Sequence, residues 1–162
     1  MSLWLKQYST TSINRMDSEK MFHQRSSIPL LVVDKNKDHQ LLIGYCLRAK
    51  IPQVEPTFAT TTQDALSFLK RSSNQRESFP KLVLLDLSLP KTIQGFALLE
   101  EIRMLYPLLP VIILSSEQDQ PLVNKAYQLG AHSFLGKPLS LEEWENHFQM
   151  IKEYWLWTVT LS

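Results

Sequence analysis

The stretch KLVLLD at residues 81–86 decides the fold, because its apolar run ends in a carboxylate. A short apolar run without alternation is typical of a strand buried on both faces of a parallel sheet. Three other runs share this character, and a weaker one contains Pro56, which suits an edge strand. The three are residues 30–34, 111–115 and 132–135, and the weaker run is 54–58.

Between these runs the apolar residues recur at helical spacing. In the first helical segment, Leu41, Leu42, Tyr45 and Cys46 are expected on one buried face, and the third repeats apolar residues at 99, 102 and 105. The last segment is the clearest: its apolar residues keep a spacing of three or four, and Ser140 and Glu143 suit a capping box. The predicted helices are residues 38–49, 63–70, 96–105, 122–129 and 141–155.

Strands that alternate with helices predict right-handed βαβ units with helices on both faces of a parallel sheet. We therefore predict a doubly wound (βα)5 domain of the α/β class with a central five-stranded parallel sheet, over residues 29–155. Residues 1–28, rich in Ser, Thr, Asn and Gln, are expected to form a flexible arm, and residues 156–162 a tail.

Composition excludes several classes of function. A formal net charge of +1 gives no sign of a nucleic-acid-binding surface. The apolar runs are far shorter than the roughly 18 residues of a membrane-spanning helix, so a cytoplasmic protein is expected. The single cysteine, Cys46, excludes an internal disulfide and favours a small buried side chain over a reactive thiol.

The ends of the predicted strands carry groups with a shared chemistry. The first strand ends in Asp34, the third in Asp86 and the fourth in Ser115, and the fifth leads to Lys137. Ligand sites of such folds lie at the carboxyl ends of the strands. Two carboxylates, a hydroxyl and an ammonium would meet there, which suits phosphoryl transfer to Asp86 as the nucleophile. Lys137 and Mg²⁺ would neutralise the phosphoryl oxygens, and Ser115 would donate a hydrogen bond to one of them.

Each of these residues also has a simpler interpretation. An aspartate at a strand end often caps a turn, and Ser115 with Ser116 could cap the following helix. Lys137 could be a solvated loop residue. Because all four groups follow successive strand ends, a shared site for phosphoryl transfer is favoured over separate capping and loop roles.

Four segments resemble the receiver domain of two-component response regulators, which has a flavodoxin-like fold. They are LVVD at 31–34, LLDLSLP at 84–90, VIILSS at 111–116, and GA at 130–131 with FLGKP at 134–138. The resemblance implies that Asp86 is the phosphoacceptor, Ser115 the switch hydroxyl and Lys137 the lysine of the family. It also implies that Phe134, otherwise a core aromatic, is the switch aromatic. Ser88 would offer its backbone carbonyl to the metal, beside Asp34 and Asp86.

The segment YWLWTVTL at 154–161 and the tripeptide LPK at 89–91 are similar to small stand-alone regulators that partner cyanobacterial phytochromes. This likeness implies a histidine kinase partner of phytochrome type and a downstream protein partner, with no DNA-binding or enzymatic output module. We expect Tyr154, Trp157, Val159 and Leu161 to form a contact surface for a homodimer or for the kinase. The alternative is that the tail folds back over its own domain.

Two features depart from the family pattern. Lys35 follows Asp34 where receivers carry a second acidic residue, so weak Mg²⁺ binding is expected; the ammonium would lie against Asp86 or turn into solvent. Residues 91–94 put four positions before Gly95, where three are usual. We expect a phosphorelay receiver that signals by protein contact and is not an enzyme. The alternative is a pseudo-receiver, a phosphorylation-independent interaction module. A flavodoxin-like small-molecule binder is disfavoured, since no glycine-rich phosphate loop follows a strand.

Overall fold

The computed structural model of the chain describes residues 27–159, with side chains as far as Leu156, so the predicted arm lies almost entirely outside the described residues. Five parallel strands form one sheet in the order β2-β1-β3-β4-β5. This order confirms the doubly wound prediction, and β2, which contains Pro56, is an edge strand. The strands are β1 (Ile28–Val33), β2 (Val54–Ala59), β3 (Val83–Asp86), β4 (Val111–Ser115) and β5 (Ser133–Gly136).

Each strand is followed by a helix, in agreement with the predicted (βα)5 order. The helices are α1 (Lys37–Lys50), α2 (Thr62–Ser72), α3 (Thr92–Leu105), α4 (Gln120–Gln128) and α5 (Leu141–Ile151), and a π-helical segment (Lys152–Val159) continues α5. Helix α4 ends in a Schellman motif, in which Gly130 has φ 103° and Ala131 N–H donates to Ala126 O.

Two apolar cores cover the two faces of the sheet. In β1, Leu30 and Val32 face one core while Leu31 and Val33 face the other, as the period of two along a strand requires. Helices α1 and α5 contribute to the first core, and α2, α3 and α4 contribute to the second. Burial of both faces explains why the three inner strands β1, β3 and β4 are almost continuously apolar, whereas the edge strand β2 contains Glu55, Pro56 and Thr57.

The predicted buried face of α1 is partly wrong. Leu41 is 71% and Tyr45 52% exposed, while Cys46 is fully buried as predicted. The row that faces the core is Ile43 and Leu47, four residues apart, next to Cys46. Helix α1 has more apolar residues than one face can hold, so the spacing of these residues is compatible with two different buried faces. Leu105 and Leu141, at the ends of α3 and α5, are also half exposed rather than buried.

The start of α5 resembles the predicted capping box. Ser140 Oγ accepts a hydrogen bond from Glu143 N–H, but the Glu143 carboxylate accepts from Leu139 N–H instead of Ser140 N–H. At the other end, the π-helical segment places Leu156 five residues after Ile151. Both residues lie in the core that α1 and α5 cover, and Leu156 is 1% exposed. Leu156 was predicted as the first residue of the tail. The side chains of Trp157, Val159 and Leu161 lie outside the described residues.

Candidate functional site

Four polar side chains converge at the carboxyl edge of the sheet, as predicted. Asp34 follows β1, Asp86 ends β3, Ser115 ends β4 and Lys137 follows β5, and these four strands are consecutive neighbours in the sheet. Asp34, Asp86 and Ser115 are 1%, 4% and 3% exposed. Burial of two carboxylates is costly unless they are paired and hydrogen-bonded, so their partners decide the chemistry of the site.

Lys137 joins the two carboxylates. Its Nζ lies 2.9 Å from Asp34 Oδ2 and 3.3 Å from Asp86 Oδ2, and its side chain is 8% exposed. The interpretation of Lys137 as a solvated loop residue is therefore wrong. Its backbone N–H donates to Ser115 O at 2.8 Å, which fixes the chain after β5 against the end of β4.

Each carboxylate also accepts a backbone hydrogen bond from the turn that follows it. Asn36 N–H donates to Asp34 Oδ1 at 2.8 Å, and Ser88 N–H donates to Asp86 Oδ1 at 3.2 Å. These bonds hold the Oδ1 atoms and leave both Oδ2 atoms facing Lys137. Each aspartate thus caps the turn that follows it and also contacts Lys137, while its role in phosphoryl transfer stays a prediction.

Burial raises the pKa of Asp86 above its ordinary value, and the Asp34 carboxylate raises it further, although Lys137 and the Ser88 N–H act in the opposite direction. The native state therefore favours the protonated form more than the unfolded chain does. A carboxylate with a raised pKa is a more basic and more reactive nucleophile once it is ionised.

The raised pKa predicts that Asp86→Asn stabilises the fold. Asp86 contributes stability below its ordinary pKa of 3.8, and this stability is lost as the pH rises through the raised native pKa. The amide removes that loss, so at pH 7 we expect a melting temperature about 4 °C higher, equivalent to about 1 kcal/mol in a domain of this size. The gain should shrink as the pH falls toward 4. Calorimetric melting at several pH values would show this change. A gain in stability that does not depend on pH would contradict a raised pKa for Asp86.

Ser115 accepts a hydrogen bond at Oγ from Glu117 N–H at 3.1 Å. Helix α4 begins with Asp119 at its N-cap, so the alternative in which Ser115 caps that helix is wrong. The hydroxyl retains a hydrogen that it can donate.

Phe134, the predicted switch aromatic, is half-buried and packs against the core that α2, α3 and α4 cover. Its backbone N–H donates to the hydroxyl of Tyr127 on α4 at 3.1 Å. The predicted core position of Phe134 and a switch position are compatible with this geometry.

Lys35 does not lie against Asp86 and is exposed, as the second of its two predicted orientations requires. Its Nζ donates a hydrogen bond to Pro90 O at 3.2 Å, so the ammonium joins the loop after β1 to the loop after β3. The contact is exposed and lies at the rim of the site.

The four residues before Gly95 are not an irregular loop. Lys91 is the N-cap of α3, and residues 92–94 form the first turn of that helix. Gly95 N–H donates to Lys91 O at 3.1 Å, and the Leu89–Pro90 bond before the cap is cis. Gly95 is therefore a helical residue that lies against the backbone of Leu87.

Two neighbours of the site were missed by sequence reasoning. His39 Nδ1 lies 3.0 Å from Lys137 Nζ and 3.6 Å from Asp34 Oδ2, and Gln40 Nε2 donates to Asp34 O at 2.7 Å. Both residues lie in the first part of α1. A signal was available, since a helix that follows a parallel strand begins at the edge of the sheet where the site lies.

The donor set fits a weakly held magnesium ion. Mg²⁺ in proteins is bound by one or two carboxylates and keeps several waters. Asp34 and Asp86 supply two carboxylates at one edge, whereas residues 27–159 hold no cluster of three acidic, histidine or cysteine side chains suited to a metal. Lys137 touches both carboxylates, and its positive charge disfavours a dication nearby.

Comparison with known proteins identifies the family. The profile of the response regulator receiver domain matches residues 30–149. The chain is 30% identical over 143 residues to the probable methanogenesis regulatory protein FilR2 of Methanothrix harundinacea, covering 87% of this chain and 92% of that protein. It is also 30% identical over 135 residues to the response regulator Rcp1 of Synechocystis sp., covering 82% of this chain and 91% of Rcp1.

Solved structures show the same fold. The phosphorylated cyanobacterial phytochrome response regulator RcpA superposes with a TM-score of 0.72 and 28% identity, over 83% of this chain and 97% of RcpA. The Mn²⁺-bound form of Rcp1 gives a TM-score of 0.69 and 29% identity, over 82% of this chain and 97% of Rcp1. Among the helices that the structure describes, none has the length and apolar character needed to cross a membrane.

Proposed function

The chain belongs to the response regulator receiver domain family, and we propose that it accepts a phosphoryl group from a histidine kinase on Asp86 and passes the signal on by protein contact. The observation that carries this proposal is the buried Asp86 carboxylate at the end of β3, with Lys137 Nζ at 3.3 Å. In this function the chain is a relay protein and not an enzyme with a substrate of its own.

In the proposed transfer, an Asp86 carboxylate oxygen attacks the phosphorus of a phosphohistidine. The new O–P bond forms as the P–N bond breaks, and the electron pair of that bond returns to the kinase imidazole. Lys137 neutralises a phosphoryl oxygen, and Ser115 donates its hydroxyl hydrogen to another. Mg²⁺ held by Asp34, Asp86 and the Ser88 carbonyl would supply further charge neutralisation when bound.

The proposed switch uses two side chains on neighbouring strands, Ser115 on β4 and Phe134 on the edge strand β5. Ser115 on β4 would move toward the phosphoryl group, and Phe134 on β5 would follow, with Tyr127 linking β5 to α4. We propose a cytoplasmic location and a downstream protein partner. RcpA is a phytochrome response regulator, which supports a kinase of phytochrome type. Tyr154, half exposed beside Leu156, would belong to a contact surface for the kinase or for a homodimer.

Incubation with acetyl phosphate and Mg²⁺, followed by intact-mass measurement, tests the function. The wild type should gain one phosphoryl group, and Asp86→Asn should gain none. The matched control is Asp64→Asn, an exposed aspartate in the first turn of α2, which should be modified like the wild type. A folded wild type that gains no mass from acetyl phosphate or from a cognate kinase would contradict the proposal and favour the pseudo-receiver.

Lys35 should weaken the binding of Mg²⁺. Replacing Lys35 with aspartate removes a positive charge from the rim and adds a carboxylate, so we expect Mg²⁺ affinity to rise by about tenfold or more. Isothermal titration of both proteins measures this without phosphorylation. Lys70→Asp, on the last turn of α2, makes the same change in net charge and should leave the affinity within about twofold. Equal affinities for the wild type and Lys35→Asp would show that Lys35 has no effect on the metal.

A further inference from the structure

Lys137 has three acceptors around its ammonium. Besides Asp34 Oδ2 at 2.9 Å and Asp86 Oδ2 at 3.3 Å, its Nζ lies 3.0 Å from His39 Nδ1. An ammonium carries three hydrogens and no lone pair, so these contacts use all of its hydrogens. Because an ammonium can only donate, a hydrogen bond at this distance requires the neutral tautomer in which His39 Nδ1 accepts and Nε2 carries the proton.

The start of α1 fixes the imidazole. Asn36 N–H donates to Asp34 Oδ1 at 2.8 Å, and Asn36 Oδ1 in turn accepts from Asp38 N–H at 2.9 Å and from His39 N–H at 3.3 Å. Residues 34–39 therefore form one hydrogen-bonded unit. This unit presents a carboxylate and an imidazole to the same ammonium from the end of β1 and the first turn of α1.

We propose that His39 is a positioning residue that holds Lys137 for phosphoryl transfer to Asp86. The inference rests on the proposed function. A hydrogen bond from an ammonium to a carboxylate is stronger than one to a neutral acceptor. His39 therefore provides the contact that Lys137 gives up first when a phosphoryl oxygen arrives on Asp86. Before transfer, the same contact keeps the ammonium between the two carboxylates.

The contact can be tested without phosphorylation. Nitrogen-15 NMR of lysine ammonium groups in the unphosphorylated protein should show a Lys137 signal, because hydrogen bonding slows exchange with water. His39→Ala should lose the signal. His39→Asn should keep it, since the asparagine Oδ1 occupies the position of the imidazole Nδ1 relative to Cβ. An unchanged signal in His39→Ala, or no signal in the wild type, would overturn the inference.

Kinetics with acetyl phosphate and Mg²⁺ tests the positioning role. We expect His39→Ala to lower the maximal rate of phosphorylation about tenfold. A misplaced group near the reacting atoms slows the transfer step more than it weakens the binding of acetyl phosphate. The half-saturating donor concentration should stay unchanged, and His39→Asn should recover the rate to within about twofold. Leu41→Ala, an exposed position on the same helix, controls for effects on α1 and should match the wild type.

Equal maximal rates in the wild type and His39→Ala would overturn the positioning role. So would equal losses in His39→Ala and Leu41→Ala. Failure of the proposed function has a different signature: the wild type itself would gain no phosphoryl group, while the ammonium spectra would still decide whether His39 holds Lys137.

Discussion

Gly95→Ala should strongly destabilise the fold. A Cβ at this position would overlap the carbonyl oxygen of Leu87 and lie 2.6 Å from its carbonyl carbon and 2.7 Å from its Cα. These are backbone atoms, so the start of α3 or the end of β3 must move. We expect a loss of about 3 kcal/mol in the free energy of unfolding, at the upper end of overpacking effects. Thermal and urea unfolding would measure it, and phosphorylation should fall as well because Leu87 adjoins Asp86.

Gly44→Ala provides the matched control, since Gly44 is also a helical glycine. There a Cβ would meet the Phe58 ring edge at 3.3 Å and the Arg48 guanidinium at 3.5 Å, both at the far ends of side chains. The gain in helix propensity, about 0.5–1 kcal/mol, offsets that tightness. We expect Gly44→Ala to stay within about 1 kcal/mol of the wild type. Equal melting of the two variants would contradict the close approach of α3 to Leu87.

Lys137→Met should reduce both phosphorylation and stability. Methionine keeps much of the volume but removes the charge between two carboxylates that are 1% and 4% exposed. We expect about 3 kcal/mol of destabilisation, because removing one partner of a buried charge cluster leaves the others unpaired. The rate of phosphorylation should fall by about 100-fold, which is typical for loss of one charge-stabilising group. Denaturant unfolding and intact-mass time courses measure the two effects.

A double-mutant cycle separates the pairing from other effects of Lys137→Met. Adding Asp86→Asn should recover part of the lost stability, since one unpaired carboxylate disappears. Lys50→Met is the surface control: Lys50 pairs with Glu145 at 3.8 Å, with both side chains about one-third exposed, and its loss should cost no more than about 1 kcal/mol. Additive effects of the Asp86 and Lys137 changes would show that the two groups are not coupled in the native state.

The parts of the structure that follow from burial were predictable. Four short apolar runs predicted strands, because a sheet covered on both faces requires apolar residues on both sides of its inner strands, and the weaker run with Pro56 predicted the edge strand β2. The convergence of Asp34, Asp86, Ser115 and Lys137 followed from the shared edge of parallel strands. The assignment of roles to these residues came from the chemistry and from the family resemblance, and it stays a prediction.

The parts that depend on helix phase and on helix starts were not predictable. Helix α1 has more apolar residues than one face accommodates, so Leu41 and Tyr45 were wrongly placed in the core. Helix α3 starts at Thr92, and the side chain of its N-cap, Lys91, makes no capping hydrogen bond, so no sequence signal marked the start. The start of α1 at this edge of the sheet could have placed His39 near the site, but its pairing with Lys137, 98 positions away, follows from no local pattern.

The order of the strands has a consequence for local opening. β1, which Asp34 follows, and β3, which ends in Asp86, each have strands on both sides, whereas β5 pairs only with β4 within the sheet. Amide hydrogen exchange should therefore be slowest in β1 and β3, which open only with global unfolding, and faster in β5, which can open alone. Lys137 follows β5, so a partial opening of this edge would withdraw the ammonium while the Asp86 carboxylate stays in place. The site can thus lose its electrostatic support reversibly, without loss of the sheet that holds Asp86.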